Sequence, residues 1–171
     1  NLDHVKKFIA ASNFQWVASN YSSLEGMTVP GKTPVPYFII NRGGVKVGVV
    51  ALNTPDTSAE VFPGNLDFTS AAGKKETITI DDSIATAQKA VDAAKKAGAN
   101  IVVALIHNGW NMDLGPAAVG PLVDYGKGLK GVAAIFGGHS HQKYNSVLNG
   151  TSVAEVRNSG VEYTRTQVCV D

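Results

Sequence analysis

The sequence predicts an α/β fold, with helices packed on a largely parallel sheet. Two runs, Ile101-Val102-Val103-Ala104-Leu105-Ile106 and Val132-Ala133-Ala134-Ile135-Phe136, are short and continuously apolar, the pattern of strands covered on both faces. A helical stripe over residues 82–97 leads into the first of them. Strands and helices alternate along the chain, which is the order that builds α/β layers.

The elements follow in chain order. Residues 3–11 predict a short helix, with Val5, Phe8 and Ile9 on one face and His4 turned to solvent. Residues 14–19 predict a strand, and residues 25–36 a loop bearing Gly and Pro. Two β runs come next, Tyr37-Phe38-Ile39-Ile40 and one over residues 45–52. Gly43-Gly44 lies between them and signals a hairpin, because glycine accepts the positive φ of a tight turn. Residues 53–79 predict an irregular segment long enough to be functional or to cover a surface. The helix over 82–97 is the clearest element. Asp81 and Asp82 can cap its free N–H groups, Ile84, Ala87, Val91 and Ala94 form its apolar stripe, and Gly98 stops it. Residues 111–127 predict a loop and a helix. Two β runs, over 152–156 and 166–170, close the chain.

The 171 residues suit one domain or a large piece of one. A hydrophobic fraction of 44% argues against disorder. Fifteen Lys and Arg against fourteen Asp and Glu leave a formal charge of +1, too little for a nucleic-acid polymer to be bound through its phosphates. No apolar run approaches the roughly 18 residues of a membrane span. The single cysteine, Cys169, excludes an internal disulfide and a Cys-based zinc cluster. Its setting, Val168-Cys169-Val170, predicts a small buried side chain. A charged fraction of 17%, with many Asn, Thr, Ser and Gly, leans towards an extracellular, periplasmic or cell-surface protein. Asn20-Tyr21-Ser22 and Asn149-Gly150-Thr151 match the N-glycosylation pattern.

Histidine marks the chemistry. Ile106 is followed by His107-Asn108-Gly109, and Phe136 by Gly137-Gly138-His139-Ser140-His141. Ligands of α/β sheets collect beyond the carboxyl ends of the strands, so three of the four histidines are expected to converge on one site. His139 and His141 are two apart, which would send both rings to one side of an extended segment. Gly137 and Gly138 would let the backbone bend close to whatever the rings hold. Imidazole suits zinc, iron, nickel or copper, and accepts manganese. Asp56 or Asp113 could add a carboxylate, although Asp56 also suits a turn cap in Thr54-Pro55-Asp56-Thr57 and Asp113 a solvated position. Trp110 and Tyr125 could line a pocket or belong to the core. No Ser-His-Asp arrangement, phosphate-cradling glycine loop or dinucleotide fingerprint is present.

Several segments together resemble the metallophosphoesterase domain of the 5′-nucleotidase family. Phe14-Gln15-Trp16-Val17-Ala18-Ser19-Asn20 resembles its leu-ser-ala-asn strand, and residues 44–55 resemble its next strand. Ala104-Leu105-Ile106-His107-Asn108-Gly109 and Phe136-Gly137-Gly138-His139-Ser140-His141 resemble its two histidine motifs, specific as an ordered pair. The resemblance implies part of a four-layer αββα sandwich, two divalent metal ions such as Zn or Mn, and hydrolysis of phosphate esters, often of nucleotides. By motif position, His107 and His139 would bind one ion and His141 the other, with Asn108, Gly137 and Gly138 beside them or next to the phosphate. The ions would polarise phosphoryl oxygens and supply a nucleophile near neutral pH.

The same resemblance identifies what this sequence does not contain. The family also carries an Asp-x-His strand, a bridging Asp, and an Asn-His pair that supplies a ligand and the proton donor. All stand upstream in family order, and this chain is expected to begin just after them, at Asn1-Leu2-Asp3-His4. No catalytic proton donor is therefore expected within residues 1–171. The family's following nucleotide-specificity domain is expected to lie outside these residues as well, and Tyr163 stands where the family's glycine-rich segment usually has glycine. A second polypeptide carrying the N-terminal half is expected to complete the domain. The alternative is a non-catalytic binding module on the same scaffold.

Overall fold

In the computed structural model, residues 1–110, 112–113 and 118–170 are described. Helix α1 (Leu2–Ala11) starts on Asn1, whose side chain accepts from the His4 N–H. Leu2 and Ile9 are its buried residues. Phe8, expected on the inner face, is 66% exposed, because the helix leans on Leu2 instead. Strands β1 (Phe38–Arg42) and β2 (Val45–Asn53) form the expected hairpin, with φ of +57° at Gly43 and +86° at Gly44. The segment expected to be irregular holds short elements: α2 (Thr57–Glu60), then a small hairpin of β3 (Asp67–Thr69) and β4 (Lys75–Thr77).

Helix α3 (Ile84–Lys96) is capped by Ser83, whose hydroxyl accepts from the Thr86 N–H. Asp81 does not cap it directly. Its carboxylate accepts from the Ser83 N–H and the Thr86 hydroxyl, and so braces the cap from outside. Strand β5 (Ile101–His107) follows, then the two-residue pieces β6 (Met112–Asp113) and β7 (Ala118–Val119) and helix α4 (Pro121–Gly128). The Asp113 side chain, and with it any ligand role, lies outside the described residues. Strand β8 (Ala134–Phe136) precedes a second hairpin of β9 (Tyr144–Leu148) and β10 (Thr151–Glu155), turned at Asn149-Gly150 with φ of +49° and +81°. Strand β9 is unexpected from sequence, since Tyr-Asn-Ser-Val-Leu is too polar to read as a strand.

Six strands form one sheet in the order β1-β2-β5-β8-β10-β9. The four central strands are parallel, and each edge strand is antiparallel to its neighbour. Helices α3 and α4 cover one face. Val50, Leu52, Val102, Ala104, Ile106, Ile135 and Val153 meet Ala87, Val91 and Ala94 of α3 and Leu122 and Tyr125 of α4 there. Each such large aliphatic side chain contributes roughly 1.5–3 kcal/mol by leaving water. Tyr125 is core: burial pushes its phenol well above the ordinary value, and it donates to the Asp82 carbonyl.

The opposite face departs from expectation. Val47, Val49, Ala51, Ile101 and Val103 are only half-buried, and Leu105 is 47% exposed. The continuous apolar run of β5 is therefore covered on one side alone. A smaller apolar cluster of Leu2, Ile9, Met27 and Ile78 sits at one end of this face, with Trp16, Ala18 and Phe68 against it.

Two expected strands do not form. Residues 14–19 make a single bridge, Val17 to Val35. Ser19 and Asn20 nevertheless take the edge of β2 beyond Val49, where β1 ends, and use side chains in place of a ladder. The Ser19 N–H donates to the Ala51 carbonyl, and its hydroxyl accepts from the Ala51 N–H. The Asn20 amide donates to the Asn53 carbonyl and accepts from the Asn53 N–H. Asn20 is 2% exposed, so its glycosylation triplet is closed in the folded chain. Residues 166–170 pair with no strand among the described residues, and Cys169, expected to be buried, is exposed.

Candidate metal centre

The carboxyl ends of the parallel strands share one edge of the sheet. Asn53 of β2 lies opposite His107 of β5 in register. His107 is the last residue of its strand, and its ring is exposed. The chain leaves β8 at Phe136, passes Gly137 and Gly138, and reaches His139 three residues on. His139 has φ of +76° and His141 +56°, both left-handed. The Ser140 N–H donates to the Gly138 carbonyl at 2.9 Å, so this is a tight loop and not the extended segment expected. Non-glycine residues hold such angles at a cost of about 1–3 kcal/mol each, and they gather where function requires them.

His107 and His139 meet. Nε2 of His107 lies 3.3 Å from Nδ1 of His139, and the rings are edge-on with centroids 5.0 Å apart. Two nitrogens at a zinc–imidazole distance from one tetrahedral ion would lie about 3.3–3.4 Å apart. The pair thus has the separation of two ligands on one divalent ion. It is also the separation of a hydrogen bond if one nitrogen carries a proton. His141 is exposed and does not join them: among the described residues, no group of three or more His, Cys, Asp or Glu side chains is placed to hold an ion. His4 faces solvent on α1, as expected.

The neighbours lace the two loops together. Asn108 is buried, and its side-chain oxygen accepts from the Gly109 N–H while its carbonyl accepts from the Gly138 N–H at 3.2 Å. A Cβ on Gly137 would stand 2.6 Å from Cδ2 of Leu122, so helix packing requires that glycine. Gly138 has open space, with Nδ1 of His107 the nearest atom at 3.9 Å. Asp56 sits at the start of α2 without a side-chain cap bond; its own N–H donates to the Thr54 hydroxyl. Trp110 leans on Tyr144, and its buried indole N–H has no acceptor among the described residues. Beside His107 opens a cavity of about 490 Å³, largely apolar, bounded by Leu2, Val5, Trp16, Ala18 and Ala51. Ser140 and Glu155 are not among the site residues expected from sequence. The signal for the second is a lone acid ending an otherwise uncharged strand.

No family model matches the chain. Known proteins do. It is 32% identical over 80% of its length to the trifunctional nucleotide phosphoesterase protein YfkN of Bacillus subtilis, and spans 8% of that protein. It is 28% identical over 94% of its length to a 2′,3′-cyclic-nucleotide 2′-phosphodiesterase/3′-nucleotidase of Yersinia enterocolitica, spanning 25% of it. The crystal structure of a 5′-nucleotidase precursor from Thermus thermophilus matches 89% of the chain with a TM-score of 0.60 and 26% identity, over 29% of that chain. The chain is similar to a segment of larger nucleotide phosphoesterases and 5′-nucleotidases. It spans a quarter or less of the curated relatives' length. Its mixed sheet, with α3 and α4 on one side, matches part of the fold of these phosphoesterases.

Proposed function

We propose that the complete protein hydrolyses phosphate esters of nucleotides, as a nucleotidase or a cyclic-nucleotide phosphodiesterase, with two divalent metal ions at the carboxyl edge of this sheet. The observation that carries the reading is the 3.3 Å approach of His107 and His139 from separate strands. Relatives that are nucleotide phosphoesterases by name support it. His107 and His139 would hold one ion, and His141 would serve the second. Ions of this kind supply Lewis-acid polarisation of a phosphoryl oxygen and a nucleophile near neutral pH. Asn108, Gly137 and Gly138 keep the two loops close enough for the rings to face each other.

Residues 1–171 are assigned no proton donor. The donor and the remaining ligands would come from the N-terminal half of the same domain, acting as a second polypeptide or as preceding chain. The apolar face of Val49, Val103 and Leu105 is the surface it would cover. Among the described residues no helix is long and apolar enough to cross a membrane. The charged fraction of 17% agrees with an extracellular, periplasmic or cell-surface location.

The test uses the full protein that carries this chain, loaded with Zn or Mn. It measures phosphate release from nucleoside 3′- and 5′-monophosphates and ring opening of 2′,3′-cyclic nucleotides. His107→Ala and His139→Ala should each lower kcat/KM about a hundredfold or more, equivalent to about 2.7 kcal/mol of transition-state stabilisation. Unchanged turnover in both variants overturns the proposal.

A further inference from the structure

The last residue of β10 is Glu155, 1% exposed, at the same edge of the sheet as the histidines. A buried carboxylate requires partners. Among the described residues the ion pair is Lys143 with Glu162, so no lysine or arginine meets Glu155. Its partners come from the two histidine loops. The Ser140 hydroxyl lies 2.8 Å from both carboxylate oxygens, and the Trp110 backbone N–H donates to Oε2 at 3.3 Å. Ser140 stands between His139 and His141, and Trp110 stands three residues beyond His107. A Cβ on Gly109 would come within 2.2 Å of the Ser140 Oγ, so the loops touch at this point.

We propose that Glu155 is a positioning residue, whose buried carboxylate ties the loop after β5 to the loop after β8 and so sets the spacing of His107 and His139. The proposal rests on the reading of that pair as metal ligands. His139 holds a left-handed backbone that only its surroundings can enforce, and the Ser140–Glu155 contact is adjacent to it. Without the tie, the ring of His139 loses its fixed place opposite His107. Partners of this indirect kind change metal affinity by roughly 10–100-fold.

The experiment is a cobalt(II) titration of the full protein, read by visible absorption, whose band shape and intensity report ligand geometry. Glu155→Ala and Ser140→Ala should each weaken cobalt binding about tenfold and alter the bands. Glu155→Gln can still accept from Trp110 and donate to Ser140, so it should restore the wild-type spectrum and an affinity within about threefold. If Glu155→Ala does not fold, Ser140→Ala decides, because it removes only one hydroxyl. Wild-type affinity and bands in Ser140→Ala, with binding lost in His107→Ala, overturn the positioning role and leave the metal reading standing. Glu155→Gln as weak as Glu155→Ala also overturns it. Wild-type binding in His107→Ala and His139→Ala overturns the metal reading, and this proposal with it.

Discussion

The two faces of the central sheet are made of the same kinds of residue and have different fates. On β5, Val102, Ala104 and Ile106 lie under α3 and α4 at 0%, 0% and 4% exposure, while Leu105 between them is 47% exposed. On β2, Val50 and Leu52 are buried while Val47, Val49 and Ala51 are half-open. An apolar strand records that both its faces are meant to be covered; it does not record by what. Here one face is closed by helices close in sequence, and the other is only partly covered by the described residues. His107 and His139, the proposed metal ligands, lie at the border, where the covered sheet edge meets the open face.

The sharpest way to break this comparison is to truncate neighbours on one strand. Ile106→Ala should destabilise the 171-residue chain by about 2–5 kcal/mol, the range for deleting a buried aliphatic side chain. Leu105→Ala should cost less than about 1 kcal/mol in the same chain, and several-fold more in a longer protein that covers the face as proposed. Urea unfolding of both variants in both contexts measures this. Equal losses in the short chain would mean that the open face is already closed.

How much of this is legible in the sequence follows from where the information sits. The hairpin at Gly43-Gly44, the helix of Ala87, Val91 and Ala94, and the strands ending at His107 and Phe136 are written in local pattern, and they appear within a residue or two. The nearness of His107 and His139 is legible through topology, because parallel strands deliver their carboxyl ends to one edge. His141 escapes because a local alternation rule does not survive two left-handed residues in a row of three. Phe8, Leu105 and Cys169 escape because exposure depends on what packs against a residue, not on its type. The pairing of Ser140 with Glu155 is invisible because a hydrogen bond across fifteen residues leaves no spacing signature, and only the lone acid at the end of an uncharged strand hints at Glu155. The strand expected over 14–19 fails for a related reason: Ser19 and Asn20 meet β2 with side chains.

That side-chain edge gives the next test, on the open side. Asn20 closes two hydrogen bonds to the Asn53 backbone at 2.8 and 3.0 Å while 2% exposed. Asn20→Ala leaves a buried N–H and a buried carbonyl unpaired, at about 1–3 kcal/mol for each group not reached by water. Hydrogen exchange should show the Asn53 amide losing protection before the amides of β5. If Asn53 stays as protected as Val103, the N-terminal segment is held by packing alone and the contrast between the faces is weaker than drawn.

The smallest effect belongs to the covered side, at the start of the helix that covers it. The Thr86 hydroxyl first, and the Ser83 N–H second, hold the Asp81 carboxyl below its ordinary value of 3.8. A carboxyl lowered by folding stabilises the folded state above its unfolded value and loses that contribution as the pH falls through the folded one. Wild-type chain should therefore be slightly more stable than Asp81→Asn at neutral pH. The difference should begin to shrink below about pH 5 and vanish once both forms of Asp81 are protonated. Asp81 is exposed, so solvent screens the interaction and the gap stays small. Urea midpoints of both proteins, followed from neutral pH down to about pH 3, measure it. A gap that widens with acid would mean that the brace on Ser83 acts through the neutral carboxyl, and that α3 is held to the sheet by its apolar stripe without help from the charge at its start.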